Sequence, residues 1–243
     1  RSPEAVSKML ADIGLEATTQ QIITSAQAVL QLVADEVPAA SKLLIIGADS
    51  FRDLAREMGF EVVSSADDKP AAVVQGFDRS VGWEQLTEGA LAIRQGAKFF
   101  ASNLDTSLPI ERGFAVGNGS LVAAIQSATG VEPVSAGKPS PAMFTFAAKQ
   151  IGAKKPLAVG DRLDTDIAGG NSAAMNTFHV LTGVSGELEL IEAPVEARPN
   201  FIGAGMHELA LPVSVARPGA HHPGLGAGFF RCVAAARGDP RRW

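Results

Sequence analysis

An α/β fold built from parallel strands and crossover helices is the architecture this sequence predicts, and three observations predict it. From Lys42 onward, short apolar runs alternate with amphipathic segments of helical length. The runs are continuous, as in Leu43-Leu44-Ile45-Ile46 and Leu157-Ala158-Val159, which is the pattern of strands covered on both faces. The 243 residues are 46% hydrophobic and 19% charged, enough apolar material for a core of one large domain or two modest ones.

Residues 2–14 read as a helix with Ser2 as cap and Pro3 in the first turn. Val6, Met9, Leu10 and Ile13 share one face, and Gly14 ends it. After the apolar step Ile22-Ile23, a second amphipathic helix runs from Ala26 to Glu36 and stops before Pro38. Strands follow at 43–47, 61–63, 72–76 and 98–101, with helices at 50–58 and 83–94 between them. Residues 103–112, polar and interrupted by Pro109, predict a loop. Gly117-Asn118-Gly119-Ser120 leads into a helix over 121–128, and 131–134 returns as a strand. Ser140-Pro141 starts another helix, whose apolar face is Met143, Phe144, Ala147 and Ile151. A glycine-interrupted helix is expected over 167–175, a strand over 178–181, an edge segment over 198–202 and a small helix near 206–211. Residues 213–243 have no period and predict an irregular or disordered tail. This order suggests one α/β unit inserted into another.

The net charge of -5 argues against nucleic acid as a partner, since the arginines without acidic balance (Arg217, Arg231, Arg237, Arg241, Arg242) collect in the tail. The single cysteine, Cys232, excludes an internal disulfide framework and fits a reducing, cytoplasmic compartment. No apolar run is long enough to span a bilayer, so no membrane partner is expected.

Two loops carry the chemistry. Gly160-Asp161-Arg162-Leu163-Asp164-Thr165-Asp166 puts three carboxylates after a buried strand, where α/β sheets place their ligands. Oxygen donors at an open position suit magnesium completed by water and substrate phosphate. The alternative is a turn with an acidic helix start that only satisfies free amides. Gly137-Lys138-Pro139-Ser140-Pro141 sets an ammonium before a helix, either to neutralise phosphate or as a solvated lysine. A Walker loop is excluded, because Glu132 stands where its first glycine belongs and Pro139 replaces its hydroxyl residue. Gly117-Asn118-Gly119 is either an anion cradle at a helix start or only a turn. His207, His221 and His222 lack acidic or cysteine partners at ligand spacing.

These two loops, with Leu181-Thr182-Gly183-Val184-Ser185, resemble the haloacid dehalogenase superfamily, and within it subfamily IIA, the NagD-like and 4-nitrophenylphosphatase-like phosphatases. Ile23-Thr24-Ser25-Ala26, Ser102-Asn103-Leu104-Asp105 and the stretch from Pro109 to Leu121 extend the resemblance over about residues 1–211. It implies a Rossmann-like hydrolase core with a large inserted α/β cap: core at 1–25 and 130–212, cap at 26–129, tail at 213–243. It implies a Mg2+-dependent phosphatase acting on a small phosphorylated metabolite of the sugar or glycerol phosphate type. The implied roles are Lys138 and Asp166 in catalysis, Asp161 on the metal, and Asn103 and Asp105 at the substrate. A homodimer through the cap is a further implication. The family's nucleophile sits in an N-terminal Asp-x-Asp motif followed by a strand ending in Thr or Ser, and Arg1-Ser2-Pro3-Glu4 resembles the segment after it. The expectation is therefore an N-terminally truncated, inactive chain. Non-catalytic binding of a phospho-ligand or a protein, or a nucleotide-binding α/β module, are the competing functions.

Overall fold

Leu43 and Ile45 of strand β1 (Lys42–Ile46) pack into one apolar cluster and Leu44 and Ile46 into another. The run is unbroken because both faces of the strand are covered. The computed structural model describes residues 2–210, so the tail expected at 213–243 lies outside the described residues. It divides into two compact units, one reaching Ala147 and one starting at Ala148.

The first unit begins with α1 (Pro3–Asp12), where the Ser2 hydroxyl accepts from the Ala5 N–H as the sequence predicts. In α2 (Ser25–Glu36) the cap is Thr24, whose hydroxyl accepts from Gln27 N–H while the Gln27 side chain accepts from Thr24 N–H. There follow α3 (Asp49–Glu57), β2 (Glu61–Val63), β3 (Ala72–Gln75), α4 (Trp83–Arg94) and β4 (Lys98–Ala101). Next come β5 (Ser107–Ile110), β6 (Gly113–Val116), α5 (Asn118–Thr129), β7 (Val134–Ser135) and α6 (Ala142–Gln150). The main sheet is parallel with strand order β2-β1-β3-β4-β7. One face carries Val29, Leu30 and Val33 of α2 with Val74 and Phe100; the other carries Val73 and Phe99 against Ile93, Val122 and Ile125.

Three expectations change here. Residues 107–116 form an antiparallel hairpin in place of the expected loop, with Pro109 paired to Phe114. A two-stranded ribbon is all edge, and an edge tolerates the missing proline N–H. The strand expected at 131–134 is reduced to β7. The helix expected from Leu121 already begins at Asn118.

The second unit holds β8 (Leu157–Gly160), a π-helical turn at Leu163–Ile167, α7 (Ala168–Ser172), β9 (Asn176–Val180), α8 (Glu187–Glu192) and β10 (Phe201–Gly203). Its sheet is parallel with order β10-β9-β8. The expected helix at 167–175 is thus a wide turn followed by a five-residue helix, ended at Ala173. The sequence reading omitted α8, which starts where the Gly186 N–H donates to the Glu189 carboxylate at 3.0 Å. Among the described residues no helix is long and apolar enough to cross a membrane.

Phe100 is 1% exposed between the helices and sheet of the first unit, whereas Phe114 is 83% exposed on the hairpin. Phe100→Ala is expected to cost about 3–5 kcal/mol of folding stability. Phe114→Ala should stay within about 0.5 kcal/mol. Urea denaturation followed by circular dichroism measures both.

Candidate active-site loops

Strand β8 ends at Gly160, and the chain then turns so that Asp161 follows at the carboxyl end of the sheet. The Asp161 carboxylate accepts from the Val184 N–H at 2.8 Å, and its main-chain carbonyl accepts from the Ser185 N–H at 3.0 Å. Gly183 makes this approach feasible, because a Cβ there would overlap the Asp161 carboxylate. The Ser185 hydroxyl accepts from Leu163 N–H at 3.2 Å, tying the same turn to the far side of the acidic loop.

Asp166 is 9% exposed and accepts from the Arg162 N–H at 3.1 Å. The Asp166 and Ile167 N–H groups both donate to the Arg162 carbonyl, the second being the bond between residues five apart that defines a π turn. Such turns recur at functional sites. Gly160 lies so close that a Cβ on it would overlap the Asp166 side chain. Asp161 and Asp166 therefore frame one strand end. Asp164 does not join them: the Arg162 guanidinium grips it through Nη2 at 2.7 Å and Nε at 3.1 Å. Those bonds hold its carboxyl below the ordinary aspartate value, against a smaller opposing effect of burial. Among the described residues, no group of three or more His, Cys, Asp or Glu side chains converges as a metal cage. A hard cation at Asp161 would thus be completed by water and oxygen donors of other origin, the habit of magnesium.

Lys138 lies in the first unit, exposed, in the segment between β7 and α6. Its peptide bond to Pro139 is cis. Gly137 N–H donates to the Ser135 hydroxyl at 3.1 Å, and the Gly137 carbonyl accepts from Ser140 N–H at 3.0 Å. A Cβ on Gly137 would stand 2.8 Å from the Asn103 Cα, so Asn103 and the lysine segment are neighbours at the ends of β4 and β7. The Asn103 carbonyl accepts from the Asn118 side chain at 2.8 Å, and its side chain accepts from Asp105 N–H at 3.3 Å. Asp105 is exposed, and its carbonyl accepts from Gly119 N–H at 2.8 Å. Gly117 N–H likewise goes to the Thr106 carbonyl at 2.9 Å. The Gly117-Asn118-Gly119 turn thus spends these amides on the 105–106 backbone, and the anion-cradle alternative gives way to the turn.

The sequence reading passed over His179. It is fully buried in β9, in register with Gly160 of β8, and its Nε2 lies 3.0 Å from the Ser185 carbonyl. A lone polar residue inside Phe178-His179-Val180-Leu181 was the available signal.

Two family models match the chain: one described as HAD-hydrolase-like over residues 135–209 and one as haloacid dehalogenase-like hydrolase over residues 1–61. The chain is 42% identical to D-glycerol 3-phosphate phosphatase of Mycobacterium tuberculosis, over 86% of this chain and 59% of that protein. It is 35% identical to an acid sugar phosphatase of Staphylococcus saprophyticus, over 83% of this chain and 77% of that protein. A crystal structure of the Mycobacterium tuberculosis glycerol phosphate phosphatase in complex with magnesium superposes with a TM-score of 0.82 at 42% identity, covering 86% of this chain and 64% of that one. The chain thus spans less than two thirds of the mycobacterial protein's length.

Burial pushes the His179 imidazole below its ordinary pKa, opposed by the Ser185 carbonyl, the charge of Asp161, the Gly160 backbone and the charge of Asp166. The unfolded chain therefore takes up this proton more readily than the folded one. Stability present above the ordinary histidine value, about 6.5, is lost as pH falls through it. Urea denaturation at pH 7.5, 6.5 and 5.5 is expected to show a steeper loss for the unaltered chain than for His179→Leu.

Proposed function

The chain belongs to the haloacid dehalogenase-like hydrolase family, and on that premise we propose that it carries the metal-holding carboxylate and the lysine of a Mg2+-dependent phosphatase. Its substrates are small phosphate monoesters of the glycerol or sugar phosphate type. The observation that carries this reading is the Asp161 carboxylate at the end of β8, held through one oxygen by Val184 N–H, with buried Asp166 beside the same strand end. The phosphatases named among the relatives support the substrate class, and the magnesium complex of one of them supports the metal.

The donor set fits the cation: carboxylate oxygens at a half-exposed strand end, without sulfur or imidazole ligands. Magnesium, when bound, neutralises charge on the phosphoryl oxygens as a Lewis acid. Asp161 would hold it, and buried Asp166 would orient the water around it. Lys138 offsets phosphoryl charge as a compact point donor. Asn103 and Asp105 contact the organic part of the substrate. The attacking aspartate is assigned to an N-terminal Asp-x-Asp motif of the family kind, which residues 1–25 do not contain. That aspartate takes the phosphoryl group as an acyl phosphate while the phosphorus–oxygen bond to the substrate alcohol breaks and the alcohol leaves, and water then hydrolyses the acyl phosphate to aspartate and inorganic phosphate. We assign residues 1–25 and 130–212 to the hydrolase core and 26–129 to a cap.

Turnover of 4-nitrophenyl phosphate with magnesium tests the proposal. The chain alone is expected to show none. The chain fused behind an N-terminal segment that supplies an apolar strand with an Asp-x-Asp motif of the family kind is expected to be active. In that fusion Asp161→Asn or Lys138→Ala should lower kcat by about 100-fold or more. Turnover by the unfused chain would overturn the location of the nucleophile, and an inactive fusion that folds would overturn the phosphatase reading.

A further inference from the structure

Every polar group of Ser185 is engaged. Its N–H donates to the Asp161 carbonyl at 3.0 Å, and its hydroxyl accepts from Leu163 N–H at 3.2 Å. Its carbonyl lies 3.0 Å from His179 Nε2. The neighbouring Val184 N–H holds the Asp161 carboxylate at 2.8 Å. The turn that carries these groups is otherwise open to water, with the Val184 side chain 72% exposed. Water competes with hydrogen bonds in such a turn, and a fixed donor beneath it removes much of that freedom.

We propose that His179 is a positioning residue for Asp161, acting through Ser185: the buried imidazole fixes the Ser185 carbonyl, and the fixed turn aims Val184 N–H at the carboxylate. A carbonyl only accepts, so in this bond Nε2 carries a proton. Nδ1 is buried and makes no hydrogen bond of ordinary geometry, with the Gly160 backbone of β8 the other polar group acting on the ring. An apolar residue would fill the same strand position without bringing polar nitrogens into the interior, so packing alone does not account for the imidazole. The polar residue is retained for the bond that Nε2 makes. The imidazole touches no substrate in this account; it acts on Asp161 at one remove. The proposal deepens the reading of Asp161 as a magnesium-holding carboxylate and rests on it for its functional meaning.

The test uses the full 243-residue chain. Nitrogen-15 spectra of the unaltered protein should show a proton on Nε2; an unprotonated Nε2 would overturn the proposal without any variant. In His179→Leu, amide exchange at Val184 and Ser185 is expected to quicken about fivefold or more, the scale of one lost hydrogen bond. The amides of Val73 and Val74 in the first unit should keep their rates. His179→Gln, whose side-chain N–H reaches in place of Nε2–H, should restore slow exchange. Unchanged exchange at Val184 in His179→Leu, or loss without rescue in His179→Gln, would overturn it. A magnesium titration read on the Asp161 carboxylate carbon separates the two claims. A rise of about threefold in the half-saturating concentration for His179→Leu, reversed in His179→Gln, is expected. If magnesium leaves that resonance unmoved in the unaltered chain, the metal reading fails while the exchange rates still decide the positioning role.

Discussion

Asp161 is gripped by the chain that returns from β9: Val184 N–H on its carboxylate, Ser185 N–H on its carbonyl. A hydrogen bond to a charged group is worth roughly 1.5–3 kcal/mol, more than the usual main-chain bond. That advantage depends on two backbones meeting without side chains between them. Gly183 leaves room for the carboxylate, and Gly160 leaves room for Asp166. The parallel pairing of β8 with β9, Gly160 opposite His179, brings the two loops to the same edge. Register, glycine placement and carboxylate geometry are therefore one constraint. A one-residue slip between β8 and β9 would lose all three.

The same economy appears in the first unit. Asn103 at the end of β4 is held by the Asn118 side chain, while Gly137 packs against its Cα at the end of β7. The amides of Gly117 and Gly119 are consumed by the 105–106 backbone. A two-glycine turn before a helix thus fixes the loop that carries Asn103 and Asp105. Both units place their polar loops at the carboxyl ends of parallel strands, where α/β sheets gather ligands.

Much of this was legible in the sequence because it rests on local signals. Continuous apolar runs marked β1, β3, β4 and β8, and Ser2 marked the start of α1. The acidic loop read as following a strand end, and Asp161 and Asp166 do lie at the carboxyl end of β8. Asp164 could not be sorted from them by spacing, since its fate depends on where the Arg162 side chain turns. The hairpin was hidden by Pro109, which argues against a strand unless the strand is an edge. The π turn was hidden because an i+5 bond leaves no composition mark. His179 escaped notice because its meaning lies in a partner on another loop, Ser185, which only the fold brings near.

The central claim is that Asp161 is a metal-holding carboxylate, one half of a phosphatase site. Anomalous diffraction from crystals of the chain soaked in manganese tests it most directly. The account predicts a manganese peak at coordinating distance from the Asp161 carboxylate, with waters completing its shell. Manganese bound only at surface acids such as Asp67 and Asp68, with none at Asp161, would contradict it.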